Sequence, residues 1–98
     1  MKAKTLGRLL LLEEYGERLS MPFARHLEDG IYELRIPQGS DITRLLYFFC
    51  IGDRAIVTNG FVRKTQRTPR REIEKAKRYR DDWRMRYDQR KRTPRSLS

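Results

Sequence analysis

The sequence predicts an α+β fold: a small antiparallel sheet packed with one helix from each end of the chain. Three observations carry this. Apolar residues recur at helical spacing in the first fifteen residues, and again from about residue 69 to residue 89. Between residues 31 and 64 the period changes to two, and Gly, Pro and Asp clusters divide that stretch into short runs.

Residues 2–15 read as a helix with Leu6, Leu9, Leu10 and Tyr15 near one side, and Gly16 is placed to stop it. From Glu17 to Gly30 the pattern is weak. Met21-Pro22 implies an extended connection, followed by a short helical turn through Ala24–Leu27. In "IYELRI", Tyr32, Leu34 and Ile36 alternate with Glu33 and Arg35, which marks a strand with one apolar and one polar face. "PQGSD" is a turn. "ITRLLYFFCI" is apolar on both faces, as in a central strand covered from both sides. Gly52-Asp53 is a hairpin signal, and "AIVTNGFVRK" forms the third strand, where Gly60 implies a bulge or a close backbone approach.

The closing helix is expected from about Pro69 to Gln89, with Thr68 as N-cap and Pro69 in the first position. Ile73, Ala76, Trp83 and Tyr87, flanked by Tyr79, form the stripe that packs on the sheet. Residues 1–89 thus make one domain, and the basic, Ser- and Pro-containing residues 90–98 read as a disordered tail.

The charge is segregated. Of a net +10, residues 1–62 contribute nothing, with eight Lys/Arg against eight Asp/Glu, whereas residues 63–98 hold fifteen against five. Such a balance makes a polyanion, nucleic acid first, the expected partner. The one cysteine, Cys50, excludes an intrachain disulfide and suits a reducing compartment. The apolar run Leu9–Leu12 is too short for a signal peptide or a membrane span, so a cytoplasmic protein is expected.

The densest charge lies where a strand ends and a helix begins: Arg63, Lys64, Arg67, Arg70 and Arg71 fall within nine residues. Helix N-terminal N–H groups and cationic side chains converge at such a junction. Arg35 and Arg44 lie on the neighbouring strands, and guanidinium forks suit phosphate oxygens. With no His pair and no metal-ligand cluster in the sequence, no cofactor is expected. The plainer reading of these cations is a solvated rim. Glu33, sharing a face with Arg35, reads as its ion-pair partner or as a general base. His26, the only histidine, sits in the weakly patterned connection. Arg67, Arg70, Arg71, Lys75 and Arg78 would continue as a track along the last helix, for RNA backbone or for solvent. Phe61 is placed to stack on a base or to fill the core, Tyr79 and Tyr87 read first as packing, and so does Cys50.

Taken together, "DGIYELR", "TRLLYFF", "GFVRKTQRTP" and "EIEKAKRYRDD", preceded by "LLEEYGERLSMPFARHLEDG", resemble the HigB-like branch of the RelE/ParE toxin superfamily over roughly residues 4–87. The resemblance implies a toxin of a type II toxin–antitoxin pair, a metal-independent mRNA endonuclease acting on the ribosome and silenced by a helix-turn-helix antitoxin. It implies phosphate stabilisation by Arg44 and the Arg63-Lys64 pair. Alternatives within the same superfamily are gyrase inhibition of the ParE kind, and a non-catalytic form that only binds antitoxin or RNA. Typical members carry a first strand and first helix ahead of the segment matching Lys4–Gly16. Without them, one sheet edge would stay unpaired, and the chain would be expected to dimerise there or to lean on its antitoxin.

Overall fold

In the computed structural model, which describes residues 2–50, 54–63 and 67–92, the chain runs α1 (Lys2–Tyr15), β1 (Ala24–Glu28), β2 (Ile31–Gln38), β3 (Asp41–Phe49), β4 (Ala55–Arg63) and α2 (Arg70–Arg92). The strands form one antiparallel sheet in the order β1-β2-β3-β4, with the two helices on opposite faces. The expected α+β class holds, with one strand more than the period-two runs suggested. The predicted Gly52-Asp53 turn, Lys64 and the tail beyond Arg92 lie outside the described residues.

The first helix ends where expected. Gly16 has φ of 55°, a left-handed conformation that costs a residue without Cβ little, and a short 3₁₀ turn follows through Arg18. Its buried stripe differs from the expected one. Leu12 is buried and Leu9 packs beside it, while Leu6, Leu10 and Tyr15 face outward. The helix therefore presents fewer leucines to the sheet than its composition offered.

The expected helical turn over Ala24–Leu27 is instead strand β1. The physical reason is the tight turn after it. Asp29 and Gly30 both take positive φ, 50° and 76°, as a two-residue hairpin of the primed type demands. That turn folds residues 24–28 back against β2, where backbone pairing outweighs their weak helical spacing. The pairing carries a bulge: His26 faces Tyr32, yet Glu28 faces Ile31, so Leu27 is the extra residue.

Both faces of the sheet are covered, which explains why β2 and β3 are buried almost throughout. On the α1 side, Leu34, Ile36 and Tyr47 pack with Leu12 and Ala24. Tyr32, Tyr47 and Phe49 form a ring cluster there with centroids 5.1–5.6 Å apart. Burial holds the Tyr47 phenol well above its ordinary pKa. On the α2 side, Ile31, Leu46 and Phe48 receive Ala76, with Trp83 and Phe61 at the margin. Glu33, expected on a polar face, is therefore fully buried.

The bulge in β4 is at Thr58, not at Gly60: Leu46 pairs with Asn59 and Tyr47 with Val57. Gly60 marks the close approach instead, since a Cβ there would come 2.6 Å from Leu45 Cδ2 and 3.3 Å from the Arg44 carbonyl oxygen. The closing helix begins at Arg70, with the Pro69 carbonyl accepting from Glu72 and Ile73 N–H at 3.0 and 3.3 Å. Pro69 thus takes the flanking place expected of Thr68, whose hydroxyl is turned to Glu33. The helix also continues through residues 90–92, which were expected to start the tail.

The α2 packing is anchored by Phe48, 1% exposed, against Trp83 at 5.8 Å between ring centroids. Phe48→Ala should cost about 3–5 kcal/mol. Chemical denaturation followed through the fluorescence of Trp83 measures it, and Tyr79→Ala on the outward face should change stability by no more than about 0.5 kcal/mol.

Candidate functional site

At the α2 side of the sheet, beyond the start of that helix, lies a cluster that strand register builds. Arg25 on β1 sits directly across from Glu33 on β2. Arg35, two residues on, lies opposite Arg44 of β3, and Arg44 in turn lies opposite Phe61 of β4. Residues two apart share a face, so these side chains meet. Arg44 Nη1 donates to the Glu33 carboxylate at 3.3 and 3.4 Å. Arg25 Nε lies 3.3 Å and Arg35 Nε 3.9 Å from Glu33 Oε2. The Thr68 hydroxyl, arriving from the mouth of α2, donates to Oε1.

One carboxylate thus holds three guanidiniums, and the cluster keeps an excess charge of about +2 from arginines that never deprotonate. Exposure is graded across it. Glu33 is 0% exposed and Arg44 1%, whereas the side chains of Arg35 and Arg25 are 17% and 40% exposed. Buried charges require such pairing, and breaking the enclosed Glu33–Arg44 pair by removing a partner costs about 3–5 kcal/mol. Chemically, the enclosed pair is a fixed floor, and the two outer guanidiniums can add an anion from solvent. Glu33 has no open side from which to take a substrate proton; its contacts are those of an ion-pair anchor.

The remaining predicted residues are placed as follows. Arg63 closes β4, its backbone pairing with Ile42 one same-face rung beyond the Arg44–Phe61 pair. Phe61 packs at the margin of the α2-side core. His26 is turned to the other face of the sheet, edge-on to Tyr32 at 5.0 Å, and its Nε2 accepts from the Gly30 N–H at 3.2 Å. The fold separates it from the arginines. Tyr87 stacks on Trp83 at 5.1 Å, and Tyr79 is exposed beside them. Cys50 follows β3 and is half-buried against the α2-side core.

The expected cationic track along α2 divides by helix face. Arg70 is tied to Glu28 and Glu74, and Lys77 donates to the same Glu28 at 2.6 Å. These hydrogen bonds, that of Arg70 first, hold the Glu28 carboxyl down at about 2, keep Glu74 low, and raise Arg70 and Lys77. Arg80 is buried; burial works against its charge, yet hydrogen bonds to Asp81 and Asp29 raise its pKa. Arg70, Lys77 and Arg80 therefore fasten α2 to the β1–β2 hairpin. Arg71, Lys75 and Arg78 share the opposite, exposed face, where Lys75 and Arg78 make no ion pair among the described residues. Arg67 is exposed just before the helix.

Among the described residues no three His, Cys, Asp or Glu side chains are grouped to hold a metal, and no helix is long and apolar enough to cross a membrane. The family model for phage derived protein Gp49-like (DUF891) matches residues 1–81. The chain belongs to this Gp49-like family. It is a phage-derived, RelE/ParE-like toxin family. A toxin of this kind implies an antitoxin partner. No curated protein matches the chain. In this Gp49-like protein the match spans the whole sheet, the arginine cluster and the first half of α2.

Arg25, Thr68 and Arg80 are site or anchoring residues that the periodicities did not reveal. Asp29-Gly30 was the signal available for Arg25, because a two-residue hairpin ahead of "IYELRI" requires a strand before it.

The Glu28 ties predict an acid-sensitive fold. Its pKa of about 2 lies below the ordinary 4.5, so its contribution is fully present above pH 4.5 and is lost as pH falls toward 2. Between those values Glu28→Gln should lose stability less steeply than wild type in denaturant titrations, and high salt should shrink the difference.

Proposed function

We propose that this Gp49-like protein is the toxin of a type II pair that cleaves mRNA on the translating ribosome without a metal. A helix-turn-helix antitoxin holds it inactive. The observation that carries the reading is the convergence of three guanidiniums on one buried carboxylate, beside the exit of β4 and the mouth of α2. RNA cleavage by the ribose 2′-oxygen needs the growing charge on the phosphate stabilised, and preorganised donors do this best. Glu33 and Arg44 supply the fixed geometry. Arg35 and Arg25 donate outward to the phosphate, with Arg63 and Lys64 joining from the strand exit. Phe61, beside Arg44, supports a neighbouring base. Arg67, Arg71, Lys75 and Arg78 hold the flanking RNA backbone, while Arg70 serves the fold. Its workplace is the cytoplasm, where ribosomes are.

Arg35→Ala and Arg63→Ala should each lower cleavage by a factor on the order of 10² while leaving thermal melting near wild type. Mapping mRNA 5′ ends on translating ribosomes reads the effect. Wild-type rates in both variants would sink the assignment, and supercoiling loss by gyrase with intact mRNA would favour the ParE-like activity.

The outward face of α2 gives a separate measurement. Affinity for single-stranded RNA should fall with salt at a slope of about −0.7 per phosphate contacted. Replacing Arg71, Lys75 and Arg78 together by Gln should flatten that slope by about two. Replacing Arg70 alone should leave the slope unchanged and lower stability instead.

A further inference from the structure

The rings of α2 are not all spent on packing. Trp83 is set edge-on to Phe48, and Tyr87 stacks on one face of its indole at 5.1 Å, with 9° between the planes. Tyr79, one turn earlier, is 48% exposed and meets no other ring among the described residues. Tyr79, Asp82, Trp83 and Arg86 line a slot of about 210 Å³ against Phe48 of β3 and the start of β4. Pockets for drug-sized ligands run to roughly 300–1,000 Å³, so this one suits a single flat ring system. Its charge is balanced, because Arg86 Nη2 lies 2.9 Å from Asp82 Oδ2.

The slot continues the outward face of α2. Arg71, Lys75, Arg78, Asp82 and Arg86 recur at spacings of four, three, four and four, which sets them along one side of the helix. Arg71 and Asp82 are about 17 Å apart along its axis. A polyanion held by the three cations is thereby led to the slot, where charge gives way to aromatic surface.

We infer that the slot takes one unpaired guanine base of a bound RNA strand. The base stacks on Tyr79 beside Trp83, as aromatic side chains receive splayed bases of single strands. The ion pair supplies the choice of base. Arg86 offers donors, and Asp82 offers two acceptor oxygens next to them. The Watson–Crick edge of guanine presents the complement: the O6 acceptor, then the N1–H and N2–H donors. Adenine and cytosine set a ring-nitrogen acceptor against the carboxylate, and uracil has one N–H flanked by two carbonyl oxygens. For its ligand the slot rests on the RNA reading of this protein, but it takes no part in cleavage.

Trp83 is the only tryptophan, so its fluorescence reports the slot directly. The probes are the 5′-monophosphates of guanosine, adenosine, cytidine and uridine, titrated into the full chain. All four carry the same phosphate, so differences between them belong to the base. Guanosine monophosphate should quench saturably and bind at least about fivefold tighter than the others, the low end of what one bidentate base contact discriminates. Tyr79→Ala should weaken it by at least about fivefold, as loss of a stacking ring does, while the thermal melt stays near wild type. Asp82→Asn should bring guanosine monophosphate down to the level of the other three. Equal quenching by all four, no saturable quenching, or indifference to Tyr79→Ala would overturn the proposal. So would a chain that sediments as a dimer and becomes monomeric in Tyr79→Ala, because the ring would then serve a second copy. Cleavage of mRNA without a guanosine preference at Trp83 would remove the slot alone. Selective quenching without cleavage would remove the nuclease step and keep the slot.

Discussion

The carboxylate of Glu33 is the point at which the elements of this molecule are made to agree. It lies on an inner strand, fully enclosed, and it is touched from β1 by Arg25, from its own strand by Arg35, from β3 by Arg44 and from the mouth of α2 by Thr68. A buried charge must be met by partners in a fixed geometry. Each element that brings one is thereby held in register with the others. The apolar core ends where this cluster begins, so the same contacts that close the fold also set out its concentrated positive charge.

That arrangement divides the basic residues into two populations. Arg70, Lys77 and Arg80 are spent inside the molecule, on Glu28 and Asp29, and they fix the long helix to the first hairpin. Arg71, Lys75 and Arg78 face solvent, and Arg25 and Arg35 stand partly open at the cluster. A net charge of +10 therefore overstates what is offered to a polyanion and understates how well it is aimed. The face bearing α1 is of another kind: largely apolar, grooved and bounded by β4, whose outer edge no described strand pairs.

Much of this was legible before the structure. The helices, three of the strands and the grouping of cations on neighbouring strands follow from periodicity and turn residues, because each is a local property. What failed was set by contacts distant in the chain. The leucines of α1 could not be sorted into buried and exposed without knowing that the helix lies over β2. Thr68 looks like a cap in isolation, and only the position of Glu33, 35 residues earlier, explains where its hydroxyl goes. Arg70 and Arg71 are neighbours in sequence and indistinguishable there, yet the helix turns one toward Glu28 and leaves the other in water.

The bulge at Leu27 has an outcome of its own. Counted back from the Asp29-Gly30 turn in a regular ladder, the residue opposite Glu33 would be His26. The extra residue moves the pairing by one, so Arg25 stands there and His26 passes to the opposite face. An imidazole offers at most one donor on each of two ring nitrogens, whereas a guanidinium presents a planar fork of five. With arginine in that place, β1 meets the buried carboxylate with a fork that has donors to spare. A single inserted residue in a five-residue strand thus decides which of two neighbouring side chains stands at the cluster.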